Sequence, residues 1–272
     1  MPFSLILLIA AIQGVTEFLP VSSSGHLVLV PVLTAQPYQG QTIDVAAHVG
    51  TLVAVLVYVR QDIFTITTAM FGRAPSAQQT SDRRLGLMFI AATMPVVLVG
   101  FVVNYADWHW LTLVTTLAWA NLVFAGLLWA ADRCRDRLHT LSDMRWSAAI
   151  GIGLMQICAL IPGASRSGVT MTAARFFGYD RVTAARFSLL LSLPAIAGAG
   201  LLKTIDLMDA GDVQLGIDAA LVALLSALFA WLAIRMMMSW LAKANFTIFV
   251  VYRLGLGVIL LLGLKLGWIV PV

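Results

Sequence analysis

Gln13-Gly-Val-Thr-Glu17-Phe-Leu-Pro20-Val-Ser22-Ser23-Ser24-Gly25-His26 is the stretch that decides how this chain folds. It interrupts an apolar region, residues 4–33, that would otherwise read as a membrane crossing. Pro20 removes a backbone donor and restricts the residue before it, so the helix breaks there. Each flank is then short of the roughly 20 residues that span about 30 Å of hydrocarbon. The region reads as a broken, re-entrant hairpin, whose irregular backbone is tolerated at membrane depth only when protein or a water-filled cavity surrounds it. Glu17 is the only glutamate in the chain. A carboxylate at that depth costs about 2.5–3.5 kcal/mol or more and marks a functional site.

Composition agrees with a membrane setting. Hydrophobic residues make up 60% and charged residues 11% of the 272, with a mean hydropathy of +0.92; soluble domains carry about 25% charged residues. The apolar runs are long and continuous, which excludes the short alternating segments of a β-barrel. Residues 1–12 have no basic leader and no small-residue cleavage site, and so read as mature structure. The net charge of +4 comes largely from loop arginines, without the basic, aromatic-laced face that nucleic-acid binding needs. Cys134 and Cys158 show neither CxxC nor metal-site spacing and read as unpaired packing or surface residues.

Six segments are long enough to cross as helices: residues 43–59, 85–103, 111–131, 187–202, 217–236 and 246–264. A second interrupted region, residues 146–177, breaks between Pro162 and Gly168. Basic residues cluster in four loops, around Arg60, Arg73, Arg83 and Arg84; Arg133, Arg135, Arg137 and Arg145; Arg175, Arg181 and Arg186; and Arg235 with Lys243. The 104–110 connection has no Lys or Arg, and residues 206–218 carry four Asp and no base. Basic loops stay cytoplasmic. All four clusters share one side only if each broken region returns to the face it entered from, as a hairpin does.

A repeat follows from the same map. Gln13, Pro20 and Ser23 are answered by Gln156, Pro162 and Ser165, and Arg60 and Asp62 by Lys203 and Asp206, at an offset near 143. Each half holds a broken hairpin and three crossings, so the second is expected to be inverted. The chain is one membrane domain over 1–272, with repeats at 1–131 and 145–265. Inverted repeats with broken helices place their site near the midplane.

The chemistry gathers at the two breaks. Ser22, Ser23 and Ser24 precede a short helix, and Ser165, Arg166 and Ser167 precede another. Serine caps helix N-termini, whose exposed N–H groups favour anions, and a guanidinium fork suits phosphate. These residues describe a phosphate pocket, although for Ser22, Ser24 and Ser167 close helix packing explains the small side chain equally well. His26 joins Glu17 and Ser23 as a candidate for proton or phosphoryl transfer. Gln13, one turn before Glu17, can hydrogen bond but cannot act as a base. Asp44 and His48 stand at the mouth of a crossing on the non-cytoplasmic side, as site lining or caps.

The runs Gln13-x-x-x-Glu17-Phe-Leu-Pro-Val-Ser-Ser-Ser-Gly-His26 and Pro162-Gly-Ala-Ser-Arg166-Ser-Gly168 resemble the two signatures of the bacterial undecaprenyl-diphosphate phosphatases of the bacitracin-resistance type. The resemblance spans the whole chain, including His48-Val-Gly-Thr51. It implies an all-α polytopic enzyme of the bacterial inner membrane that removes the terminal phosphate of a C55 polyprenyl diphosphate. The site would open to the periplasm, the lipid carrier would return to cell-wall synthesis, and the cell would resist bacitracin. It also implies a divalent cation, Mg²⁺ or Ca²⁺, held by Glu17, and it leaves a homodimer open. On this basis Glu17, Ser23, His26 and Arg166 are the expected catalytic residues. Gln13, Ser22, Ser24, Ser165, Ser167 and His48 are expected to bind substrate. Members commonly carry Glu where this chain has Gln13, which leaves Glu17 as the one motif carboxylate.

Two other readings differ. Ser23-Ser24-Gly25-His26 resembles a block of the type-2 phosphatidic-acid phosphatases, but the Lys-x₆-Arg-Pro run is absent and the residue six after Arg166 is Thr172, not His. A lipid flippase would share the inverted repeats, yet transport alone does not require a nucleophile and base beside Arg166.

Overall fold

The computed structural model describes residues 1–34, 38–72, 77–106, 108–111, 113–134, 140–210 and 213–269, without the side chains of residues 33, 77–78, 104–106, 109, 198–210 and 213. Among the described residues there are twelve α-helices, three 3₁₀ turns and no strand. In chain order they are α1 (Phe3–Thr16), α2 (Ser23–Leu27), α3 (Leu29–Thr34), α4 (Gln41–Tyr58), α5 (Arg60–Phe71), α6 (Ala77–Ala106), α7 (Val114–Asp132), α8 (Trp146–Gln156), α9 (Arg166–Phe176), α10 (Arg181–Ala210), α11 (Val213–Leu241) and α12 (Thr247–Lys265). The chain is an all-α polytopic membrane protein.

Five described helices are long and apolar enough to cross a bilayer: α4, α6, α7, α11 and α12. Their outward faces carry large apolar side chains, such as Ile90, Leu98 and Phe101 on α6 and Val251, Ile259 and Leu262 on α12. Such faces suit lipid and would be a liability in water. The sixth expected crossing, residues 187–202, lies inside α10 around Pro194, and its end falls where side chains are not described. The expected start at residue 111 is corrected to Val114, because His109–Leu111 is a 3₁₀ turn and Leu113 is extended. Arg73, Arg135 and Arg137 lie outside the described residues, and the side chains of Lys203 and Asp206 are likewise not described.

Both interrupted regions break, but earlier than the expected Pro20–Gly25 and Pro162–Gly168. α1 ends at Thr16 and α2 starts at Ser23, while α8 ends at Gln156 and α9 starts at Arg166. The first break has one more discontinuity, at Val28 between α2 and α3. Pro31 explains it, since its ring opposes the carbonyl of Leu27 four residues earlier and offers no N–H to it. In the second region, α8 passes through a 3₁₀ turn, Ile157–Leu160, to an extended Ile161 before Pro162. Gly163 then turns with φ +92°, and a Cβ there would fall 2.1 Å from the Leu117 carbonyl oxygen. Left-handed backbone costs a non-glycine residue about 1–2 kcal/mol, and overpacking about 1–3 kcal/mol more. Gly163→Ala is therefore expected to lower the unfolding temperature in detergent and to weaken activity together; a variant unchanged in both contradicts this packing.

The helix order of the two halves corresponds. The starts of α1 and α8, and of α2 and α9, are each 143 residues apart. Packing partners exchange accordingly, with α1 against α11 and α8 against α6. Between α4 and α11 the backbones nearly touch: a Cβ on Gly50 would lie 2.0 Å from the Ala223 oxygen. At one end of the bundle, Asp132 accepts from Arg181 Nε at 2.6 Å and from the Phe246 amide at 3.0 Å. Arg186 grips Asp62 of α5 with both arms, at 2.9 and 2.5 Å. α5, read from sequence as loop, is a helix with Phe64 and Phe71 exposed.

Candidate active site

The two breaks meet. Ser24 Oγ accepts from the Gly163 amide at 3.2 Å, and Ser167 Oγ donates to the Leu19 carbonyl at 3.0 Å. At each break the serine before the short helix has left-handed backbone, Ser22 with φ 71° and Ser165 with φ 67°. In each, that serine's hydroxyl pairs with the one two residues on: Ser22 with Ser24 and Ser165 with Ser167, both at 3.1 Å. Ser165 Oγ also caps α9 by accepting from the Gly168 amide at 3.2 Å.

Glu17 is the C-cap of α1, and Arg166 is the first residue of α9. Each charge sits at the helix end that disfavours it, and pairing offsets that cost. Arg166 Nη2 donates to Glu17 Oε1 at 2.7 Å, while Gln13 Nε2 and Ser23 Oγ donate to Oε2 at 2.9 and 3.2 Å. His48 Nε2 stands 3.6 Å from Oε2, and its Nδ1 meets the Asp44 carbonyl at 2.8 Å. Glu17 is buried, with its side chain 7% exposed.

These groups face a cavity of about 600 Å³. Its polar lining includes Glu17, Ser22, Ser23, Ser24, Ser165 and Arg166 together with Tyr38, Asp44 and His48, and Val96, Leu160 and Ile196 are among its apolar lining. Tyr38 donates to Asp44 at 2.5 Å, and Gln39 donates to the same carboxylate at 2.6 Å. Burial, with Asp44 beside it, pushes the Tyr38 phenol above its ordinary range, so it remains a hydrogen donor.

Most of the expected site residues converge here, with three displaced. Gln13 and Ser167 lie behind the wall: Gln13 is fully buried and touches the site only through Glu17, and Ser167 ties the breaks together. His26 does not reach Glu17 or Ser23. Its Nδ1 meets the Ser22 carbonyl at 2.8 Å, its Nε2 meets the Tyr252 hydroxyl at 2.6 Å, and its ring stacks on Tyr252 at 5.4 Å. A carbonyl only accepts, so Nδ1 carries the hydrogen and, in the neutral ring, Nε2 accepts from Tyr252. No lone pair is left for Ser23. His48 takes the place by the carboxylate that the sequence suggested for His26.

Comparison with known proteins matches the sequence to a family model described as bacitracin resistance protein BacA, over residues 6–259. The chain belongs to that family. Its BacA relatives include the undecaprenyl-diphosphatases of Alcanivorax borkumensis, 46% identical over 94% of this chain and 96% of the relative, and of Alteromonas mediterranea, 44% identical over 94% and 96%. The same name is borne by the protein of Roseobacter denitrificans, 44% identical over 94% and 96%.

For a divalent cation, this site offers few ligands. Among the described residues no group of three His, Cys, Asp or Glu side chains converges. Yet Glu17 Oε2 and Ser23 Oγ are hard oxygen donors on the cavity wall. Such a set suits an ion whose remaining ligands come from phosphate oxygens and water, the usual habit of Mg²⁺.

Proposed function

We propose that this chain hydrolyses undecaprenyl diphosphate to undecaprenyl phosphate and inorganic phosphate, returning the lipid carrier to cell-wall synthesis and so conferring bacitracin resistance. The observation that carries the reading is the Glu17 carboxylate. It faces a cavity of about 600 Å³ while holding a serine hydroxyl on one oxygen and a guanidinium on the other. A hydroxyl on a carboxylate is an activated nucleophile, and a guanidinium stabilises charge on a phosphoryl group in transfer.

Arg166 turns from Glu17 to the diphosphate, assisted by the N-terminal amides of α9. Ser23 Oγ attacks the terminal phosphorus as Glu17 takes its proton; the bond from that phosphorus to the bridging oxygen breaks, and undecaprenyl phosphate leaves. Water then displaces Ser23 from phosphorus, releasing inorganic phosphate. His48 and Tyr38 face the outer phosphate, and the prenyl tail lies on the Val96 and Ile196 side. Glu17 and Ser23 would hold a divalent cation that neutralises phosphate charge, with Gln13 steadying Glu17 from behind. If water attacks directly, Ser23→Ala keeps activity and no phosphate stays on the protein.

The same proposal includes the placement. The two halves, 1–131 and 145–265, are inverted repeats in a bacterial inner membrane, with the cavity open to the periplasm. The matched left-handed serines and exchanged helix partners support the repeat. Single cysteines at Ser142 and Trp108, in a chain lacking Cys134 and Cys158, are expected to label from the cytoplasm and from outside respectively; labelling from the reversed sides rejects the orientation. A homodimer is proposed too, and the mass of the purified chain in detergent tests it.

Phosphate release from a short prenyl diphosphate by the detergent-purified chain tests the activity. EDTA is expected to suppress it and Mg²⁺ or Ca²⁺ to restore it; release unaffected by EDTA removes the cation from the proposal. No phosphate release under any condition, with labelled lipid still moving between leaflets, would establish the flippase instead.

A further inference from the structure

Two neighbouring residues of α12, Tyr252 and Arg253, each reach a different break, and neither lines the cavity. Tyr252 holds His26, which holds the Ser22 carbonyl. Arg253 is fully buried inside an apolar helix. Its Nη2 donates to the Gly163 and Ala164 carbonyls at 2.8 and 2.9 Å, and its Nε to Asn121 Oδ1 of α7 at 3.0 Å. Every one of these acceptors is a neutral oxygen.

The carbonyls so held sit where the backbone departs from ordinary geometry. Ser22 is itself left-handed, and Ala164 immediately precedes left-handed Ser165. Rotating either peptide plane would re-aim the residues that follow, Ser23 in one break and Arg166 in the other. The remaining guanidinium arm, Nη1, is buried with no hydrogen-bond partner. It presses on the first turn of α9: a Cβ at Gly168 would lie 2.8 Å from it. Asn121 closes the arrangement, since a Cβ on Gly25 of the first break would lie 3.0 Å from its Nδ2.

A buried cation without an acid is expensive, and lipid-facing packing of α12 on α7 does not require one. An arginine whose Nη2 takes two successive carbonyls of a strained turn while its Nε takes Asn121 has a use there. We infer that Tyr252 and Arg253 are positioning residues for phosphoryl transfer, clamping the two breaks so that Ser23 and Arg166 converge on one phosphorus. This inference rests on the phosphatase reading of the cavity.

The test is steady-state hydrolysis of a short prenyl diphosphate by the full-length chain in detergent, with the unfolding temperature measured alongside. Tyr252→Phe keeps the ring on His26 and removes one hydroxyl. Arg253→Lys keeps the charge and loses the fork. Each is expected to lower kcat by about 10- to 100-fold, as small displacements at a reacting centre do, with KM within about threefold and the unfolding temperature little changed. Arg253→Met is expected to lose more than Arg253→Lys; should it fail to fold, Tyr252→Phe carries the test. Retention of kcat within about twofold by both Tyr252→Phe and Arg253→Lys overturns the inference. So does a fall in unfolding temperature with unchanged turnover per folded molecule, which marks a scaffold role only. Glu17→Ala and Arg166→Ala run beside them. If those two remain fully active, the site reading itself fails; if only they are impaired, the clamp alone fails.

Discussion

Arg166→Ala is expected to cut phosphate release by about 1,000-fold, because it removes the cation aimed at the charge that develops in transfer. A second loss accompanies the first. Glu17 would remain buried with its strongest partner gone, and breaking a buried pair this way costs about 3–5 kcal/mol. An unopposed carboxylate would also repel the diphosphate, so KM rises as kcat falls. Arg166→Lys restores little, since a point charge cannot reproduce the guanidinium fork. Steady-state release by each variant decides the matter. Activity within about tenfold of the parent for Arg166→Ala would exclude this residue from the reacting centre.

Glu17→Gln isolates the second large effect. The amide has the shape of the carboxylate and still offers Arg166 an oxygen, so positioning is largely kept. It cannot take a proton from Ser23, and its amino group would face the Gln13 Nε2 and Ser23 Oγ donors now bonded to Oε2. General-base catalysis contributes about 10²- to 10⁴-fold, and a loss in that range is expected in kcat. A loss confined to KM would mean that Glu17 only orients Arg166 and that proton transfer belongs elsewhere, with His48 the nearest group.

The fold and the acid–guanidinium pair were legible because both depend on local signals. Long apolar runs give crossings, Pro20 and Pro162 give breaks, and one buried acid and one buried arginine in matching breaks imply each other. What was hidden depends on rotation about a helix axis set by distant contacts. Nothing near His26 says that a tyrosine 226 residues away takes its Nε2. Nothing near His48 says that α4 turns it toward Glu17. Arg253 was passed over, although a charge inside an apolar crossing is a recognised mark of function, and its partners are turn carbonyls that spacing does not encode. α5 was missed because its charges matched those of a loop, and the interruption at Val28 because Pro31 was read only as part of an apolar run.

The resting site carries its own surrogate for the substrate. With Glu17 on Arg166 the guanidinium is already paired, so an arriving anion must outcompete a tethered rival rather than fill an open positive charge. A diphosphate can do so; orthophosphate, with fewer oxygens and less charge, is the weaker contender. Turnover would then end with the tether snapping back and expelling the released phosphate. Orthophosphate is accordingly expected to inhibit the parent weakly and to bind Glu17→Gln more tightly; equal inhibition of both would dissolve this link between the ion pair and product escape.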